Sequence, residues 1–129
     1  MPASNQSSID QLASCDKRLQ QVFNEVIKSF DCKVIIGHRG QEAQEEAFRT
    51  GKSQKHWPDG NHNAMPSKAA DVIPVPIDWN DRERMTFFAG FVMGVAHNMN
   101  IKLRWGGDWD QNTQVKDNSF DDLVHFEVV

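Results

Sequence analysis

No stretch of the chain approaches the roughly 18 apolar residues that a membrane span requires, and the N-terminal MPASNQSSIDQLASCDKRLQ lacks the basic start and apolar run of a secretory prefix. There is no surplus of positive charge either. Fourteen Lys and Arg against eighteen Asp and Glu leave a net charge of -4, which excludes a global basic field for nucleic acid or an anionic membrane. Any polyanionic partner must be bound locally. Cysteine is scarce: Cys15 and Cys32 form no CxxC pair, and without a secretory prefix they are expected to be reduced, small core residues. HExxH is absent too, as are internal repeats, low-complexity tracts and linkers. The 129 residues suffice for one compact domain, expected over 1–129.

What is present is a clear alternation of elements. Ser8 with Gln11 reads as a capping box, and Ile9, Leu12, Leu19, Phe23, Val26, Ile27 and Phe30 follow at helical spacing, predicting one amphipathic helix broken near Asp31. The β-branched run Val34 to Ile36 is too short for a helix, so it predicts a buried strand ending at His38 and Arg39. Gln41 to Thr50 reads as a second, shorter helix with Gly51 at its C-terminal cap. Gly51 to Ser67 is polar loop carrying His56, Trp57 and His62, and it runs into a strand at Ala69 to Ile73 that Pro74 and Pro76 close. Asn80 with Glu83 signals the start of the longest helix, marked by Met85, Phe88, Ala89, Val92, Val95, Ala96 and Met99. Ile101 to Trp105 alternates as a half-exposed strand, a polar loop follows to Ser119, and Leu123 to Val129 forms the last strand. The order predicts an α+β domain with a small, mostly antiparallel sheet and packed helices.

Two segments carry the chemistry, HNAMPSKAAD and DDLVHFE. His62, Asp71 and His125 supply the nitrogen and oxygen donors that Zn²⁺ prefers, and three ligands leave a fourth position for water, as amide hydrolysis requires. A general base is then needed, and Asp121, Asp122 and Glu127 lie near His125. Strand alternation puts Glu127 on the face of His125 and Asp122 on the opposite one, so alternation favours Glu127 unless the chain bends. Arg39 could stabilise an oxyanion or form a structural ion pair. His38 and His56 could touch substrate, whereas His97 late in a helix suits a structural role. Trp57, Trp105 and Trp109 could be aromatic platforms or packing residues. Asp108, Asp110, Asn112 and Gln114 alternate oxygen donors like the first half of a Ca²⁺ loop, without its central Gly or closing Glu.

Together HNAMPSKAAD, RWGGDWD, SFDDLVHFE, GHRGQEAQ and GKSQ resemble the phage endolysin branch of the D-alanyl-D-alanine carboxypeptidase-like zinc peptidases, the L-alanyl-D-glutamate peptidases. The resemblance spans roughly residues 30 to 129. It implies the zinc peptidase fold shared with hedgehog domains, one Zn²⁺ on His62, Asp71 and His125, and hydrolysis of peptidoglycan stems. It moves the catalytic carboxylate to Asp122, three residues before His125, and so demands a bend there, with Glu127 as a supporting residue. Arg39 matches the family's Arg at the end of the first strand. Where the family usually has Ser two residues before its first His, this chain has Gly60. The chain is expected to be a monomer without a separate wall-binding module, and the resemblance implies synthesis in the host bacterial cytoplasm and arrival at the cell wall at lysis. The alternatives are a D-alanyl-D-alanine carboxypeptidase or dipeptidase with the same site, and a non-catalytic zinc-stabilised binding module. A plain structural domain, indifferent to chelators, is the blandest reading.

Overall fold

The computed structural model describes residues 6–116 and 121–129. The elements are α1 (Gln6–Ala13), α2 (Lys17–Val26), β1 (Cys32–Ile36), α3 (Gln41–Arg49), a 3-10 turn (Asn61–Asn63), β2 (Ala69–Pro74), α4 (Arg82–Asn98), β3 (Leu103–Gly106) and β4 (Asp122–Val128). The strands form one antiparallel sheet in the order β1-β2-β4-β3, so the expected α+β class and antiparallel sheet hold.

Alternation along the central strands separates core from chemistry. Ala70 and Val72 of β2 and Phe126 and Val128 of β4 share a core with Leu19, Val22, Phe23 and Val26 of α2 and Phe88, Ala89, Val92 and Ala96 of α4. Phe126 is the junction, meeting Phe23 edge-on at 5.4 Å and Phe88 at 6.2 Å. Truncating such a residue costs about 3–5 kcal/mol. The intervening residues, Asp71 of β2 and His125 and Glu127 of β4, face the opposite side, and Asp71 is paired in register with His125. Helices α2 and α4 thus hold the sheet from one face and leave the other for the site.

The first helix departs from expectation. The apolar period continues through Ser14–Asp16, but the backbone does not: α1 and α2 are separate helices, and Asp16 caps α2 by accepting from the Arg18 N–H at 2.8 Å. Ser8 is no cap. It lies buried inside α1, where its Oγ accepts the Val34 N–H at 2.9 Å, while Gln11 Oε1 accepts the Gly37 N–H at 3.0 Å. The break is fixed from outside the helix, because Ser14 and Asp16 exchange backbone bonds with Ser67 at 2.9 and 2.7 Å. Likewise the cap of α4 is Asp81, which accepts from the Arg84 N–H, rather than Asn80. The α3 prediction holds, with Gly51 at φ 81° just beyond it.

One irregularity decides where the site's side chains go. Trp105 pairs with Phe126, yet the next residue, Gly106, pairs with Asp122, so the chain bulges through Leu123, Val124 and His125. Gly106 permits this because a Cβ there would stand 2.1 Å from the Asp122 carbonyl oxygen. The Trp105 indole holds the bulge by donating to the Leu123 carbonyl at 2.8 Å.

Candidate metal centre and active-site cleft

His62 comes from the 3-10 turn, Asp71 from β2 and His125 from β4, and all three are buried. His62 Nε2 lies 3.0 Å from Asp71 Oδ1 and 3.3 Å from His125 Nδ1, and His125 Nδ1 lies 3.3 Å from Asp71 Oδ1. Tetrahedral zinc with bonds of about 2.0–2.1 Å needs donor atoms about 3.3 Å apart. The donor set therefore fits such an ion in both chemistry and spacing.

The outer nitrogens fix the tautomers. His62 Nδ1 is 2.8 Å from the Gly37 carbonyl, which can only accept, so that nitrogen carries a proton and Nε2 is the nitrogen turned toward Asp71 and His125. His125 Nε2 donates to Glu127 Oε1 at 2.7 Å, leaving Nδ1 for the inner side. Glu127 Oε2 accepts from Arg104 Nε at 3.0 Å and Nη2 at 2.5 Å. Gly37 cannot be enlarged, since a Cβ would meet the Gln11 carbonyl at 2.0 Å.

The charges are tightly arranged. Burial opposes charge on Asp71, but the His125 and His62 hydrogen bonds outweigh it and hold the carboxyl well below the usual range. Burial likewise opposes charge on His125, yet bonds to Asp71 and Glu127 keep its pKa up at about 9. Glu127 is disfavoured by burial but held down at about 2 by His125, Asn61 and Arg104. Asp122 goes the other way: burial, then the Asp71 charge, raise it to about 6, with His125 and His62 offsetting part. Burial pushes both cysteine thiols up to about 12, so they are inert core groups as expected.

A cleft of about 460 Å³ opens over this centre, lined among others by Arg39, His62, Trp109, Asp122, His125 and Glu127. The structure thus brings together His62, Asp71, His125, Asp122 and Arg39. Arg39 stands with Nη2 3.7 Å from Asp71 Oδ2 and Nη1 donating to Gln44 Oε1 at 3.2 Å. Of the three candidate bases, Asp121 pairs with Arg82 at 2.6 Å, and both Glu127 oxygens are engaged by His125 and Arg104. Asp122 faces the cleft, because the bulge removes the parity that argued against it.

The other candidates lie elsewhere. His56 stacks on Phe48 at 3.7 Å and pairs with Glu45, His38 Nδ1 meets the Ala64 carbonyl at 3.0 Å, and His97 sits in the last turn of α4. Trp105 is core, whereas Trp109 walls the cleft 5.3 Å from the His125 ring with Arg104 over its face. Asp108 folds its loop on itself, accepting from the Asn112 and Thr113 N–H groups. Ser119 and Phe120 of the last motif lie outside the described residues.

Sequence reasoning missed the scaffold. Gln44 is fully buried, and its amide ties Arg39, Asn63, Ser53 and Lys55 together. Its QxxQ setting in a surface-type helix gave no sign of burial. Gly60 leaves room for this knot: a Cβ would stand 2.8 Å from Asn63 Oδ1 and 3.0 Å from Gln44 Oε1.

The chain matches the crystal structure of Serratia marcescens L-Ala D-Glu endopeptidase ChiX with a TM-score of 0.76 and 23% identity, over 98% of this chain and 89% of that one. At that identity the likeness speaks for the fold. No curated protein sequence matches. The sequence family described as phage L-alanyl-D-glutamate peptidase matches residues 3–129, nearly the whole chain including every residue of the centre, and the chain belongs to that family of peptidoglycan peptidases.

Proposed function

We propose that this single-domain, monomeric peptidase hydrolyses the L-alanyl-D-glutamate bond with one zinc ion held by His62, Asp71 and His125, Asp122 as proton carrier and Arg39 at the carbonyl. The observation that carries the reading is the triangle of donor atoms at 3.0–3.3 Å, with both outer imidazole nitrogens already committed. Bound there, zinc would supply a Lewis acid and lower the pKa of a water in the open position.

The protein's own groups do the rest. Asp122, facing the cleft, takes a proton from the attacking water and returns it to the departing amine of D-glutamate. Arg39 lies beside Asp71 and is braced by Gln44, so its guanidinium can meet charge developing on the scissile carbonyl oxygen without reorganising. Trp109 and Arg104 wall the cleft on the His125 side.

The enzyme acts on the bacterial cell wall during phage lysis, after synthesis in the host cytoplasm. None of the described helices is long and apolar enough to cross a membrane. A calcium role for Asp108 to Gln114 is a secondary reading, since the Asp108 oxygens already serve the loop's own backbone.

Mass spectrometry of peptidoglycan digested by the protein, by chelated protein and by chelated protein given zinc tests the reading. New amino-terminal D-glutamyl ends that vanish with chelator and return with zinc are expected. Released D-alanine would replace the proposal with a carboxypeptidase, and no product from folded, zinc-loaded protein would overturn hydrolysis of this substrate.

A further inference from the structure

The protein carries net charge -4, yet its substrate is also anionic. In a peptide stem the D-glutamyl residue continues through its γ-carbonyl, so its α-carboxyl group stands free unless amidated. A net repulsion must be overcome by cations placed at the cleft. Among the described residues, Arg39, Lys52, Lys55 and Arg104 line it. Arg104 is spent on Glu127 and Arg39 stands against Asp71. Among the described residues neither the Lys52 nor the Lys55 ammonium has a carboxylate partner.

The loop that carries these lysines is built rather than loose. The Lys52 and Ser53 N–H groups both bond the Ala47 carbonyl, at 2.8 and 3.0 Å, closing the C-terminus of α3. Gln44 Nε2 donates to Ser53 Oγ at 3.0 Å and to the Lys55 carbonyl at 2.6 Å, and Ser53 Oγ accepts the Lys55 N–H at 3.1 Å. Gln44 Oε1 accepts from Arg39 and from Asn63, the neighbour of His62. One fully buried amide therefore sets the lysine loop in register with the catalytic arginine and the metal-bearing turn.

We propose that Lys52 and Lys55 form a carboxylate subsite that receives the free α-carboxylate of the D-glutamyl residue, with Gln44 fixing the loop that presents them. This rests on the L-alanyl-D-glutamate reading and adds a preference to it: walls whose D-glutamate is free are cut better than walls in which it is amidated. Both side chains are exposed at the rim, so their ammonium groups contribute through a charge-assisted contact that desolvates little protein surface.

The test compares two zinc-loaded proteins, the natural chain and a K52A/K55A variant, on two stem peptides that differ only in carrying an α-carboxylate or an α-carboxamide on D-glutamate. The natural protein is expected to show a KM about tenfold lower for the carboxylate at low salt, an advantage that salt erodes. The variant is expected to lose that discrimination through KM, with kcat nearly unchanged, and K52R/K55R to restore it. Equal KM values for the two peptides with the natural protein, or undiminished discrimination in the variant, would overturn the subsite while leaving the bond assignment intact. Cleavage of neither peptide by the natural protein would overturn the bond assignment and the subsite with it.

Discussion

His125 donates its Nε2–H to Glu127 Oε1 at 2.7 Å, and that one bond decides which of its nitrogens can face Asp71 and His62. The strand period makes the contact possible, because residues 125 and 127 project to one side of β4. Arg104 holds Glu127 charged from the neighbouring strand. Removing the acceptor in Glu127→Ala frees the imidazole to rotate and should lower zinc affinity about 10- to 100-fold. Competition with a chromophoric chelator reads this directly. Unchanged affinity would mean that packing against Trp109 alone orients the ring.

The same bond sets a pH dependence. With His125 held at about 9 in the metal-free protein, its inner nitrogen carries a proton at neutral pH that zinc must displace. A raised pKa means the proton is retained up to about 9, so apparent zinc affinity should rise about tenfold per pH unit between 7 and 9 and level above that. Calorimetry in buffers of different ionisation enthalpy should show close to one proton released per zinc at about pH 7.5.

How far the sequence disclosed this site can be judged residue by residue. The grouping of His62, Asp71 and His125 was legible because a metal site would need those donor types and because Asp71 and His125 lie on strongly patterned strands, with His62 in the loop that leads into the first of them. Asp122 was not legible from periodicity, since a two-residue alternation forbids it, and only the resemblance pointed there. The structure supplies the physical reason in the Gly106 contact and the Trp105 indole bond. Long-range hydrogen bonds defeat local reading in the same way elsewhere. The break between α1 and α2 is dictated by Ser67, some fifty positions on, and Gln44 looks like a surface residue until Arg39, Ser53, Lys55 and Asn63 are seen around it. Apolar period reports which face is buried, not where tertiary partners interrupt the helix.

Gly106→Ala tests the bulge. A methyl group cannot coexist with the Asp122 carbonyl at 2.1 Å, so β4 must move and carry the Asp122 carboxylate with it. His125 is the last residue of the bulge, but its pairing with Asp71 of β2 and its bond to Glu127 anchor it. Stability is expected to fall by about 1–3 kcal/mol, zinc affinity to change little, and kcat to fall by a factor on the order of 100 or more. A variant with normal kcat and altered KM would assign the bulge to substrate binding instead.

Asp122→Asn should separate stability from activity. The folded protein holds the Asp122 pKa at about 6, above the ordinary 3.8, through burial and the Asp71 charge. Between those values the native state binds more protons than the unfolded one, so stability falls as pH rises through the window and remains lower above it. In the metal-free protein the asparagine variant escapes that loss. Its stability advantage should be near zero below about pH 4 and grow to about 2–3 kcal/mol by about pH 7. Asp71 and Glu127 are held below the ordinary carboxylate range, so in both native proteins they stay ionised across this window and their contributions largely cancel in the difference. Denaturant midpoints of chelated proteins from about pH 4 to 8 measure it. The same variant should lose hydrolysis, because an amide cannot carry a proton from water to amine. If Asp122→Asn made the protein no more stable at neutral pH, Asp122 would be solvated in the native state, and retained turnover would pass the proton-carrying role to another group.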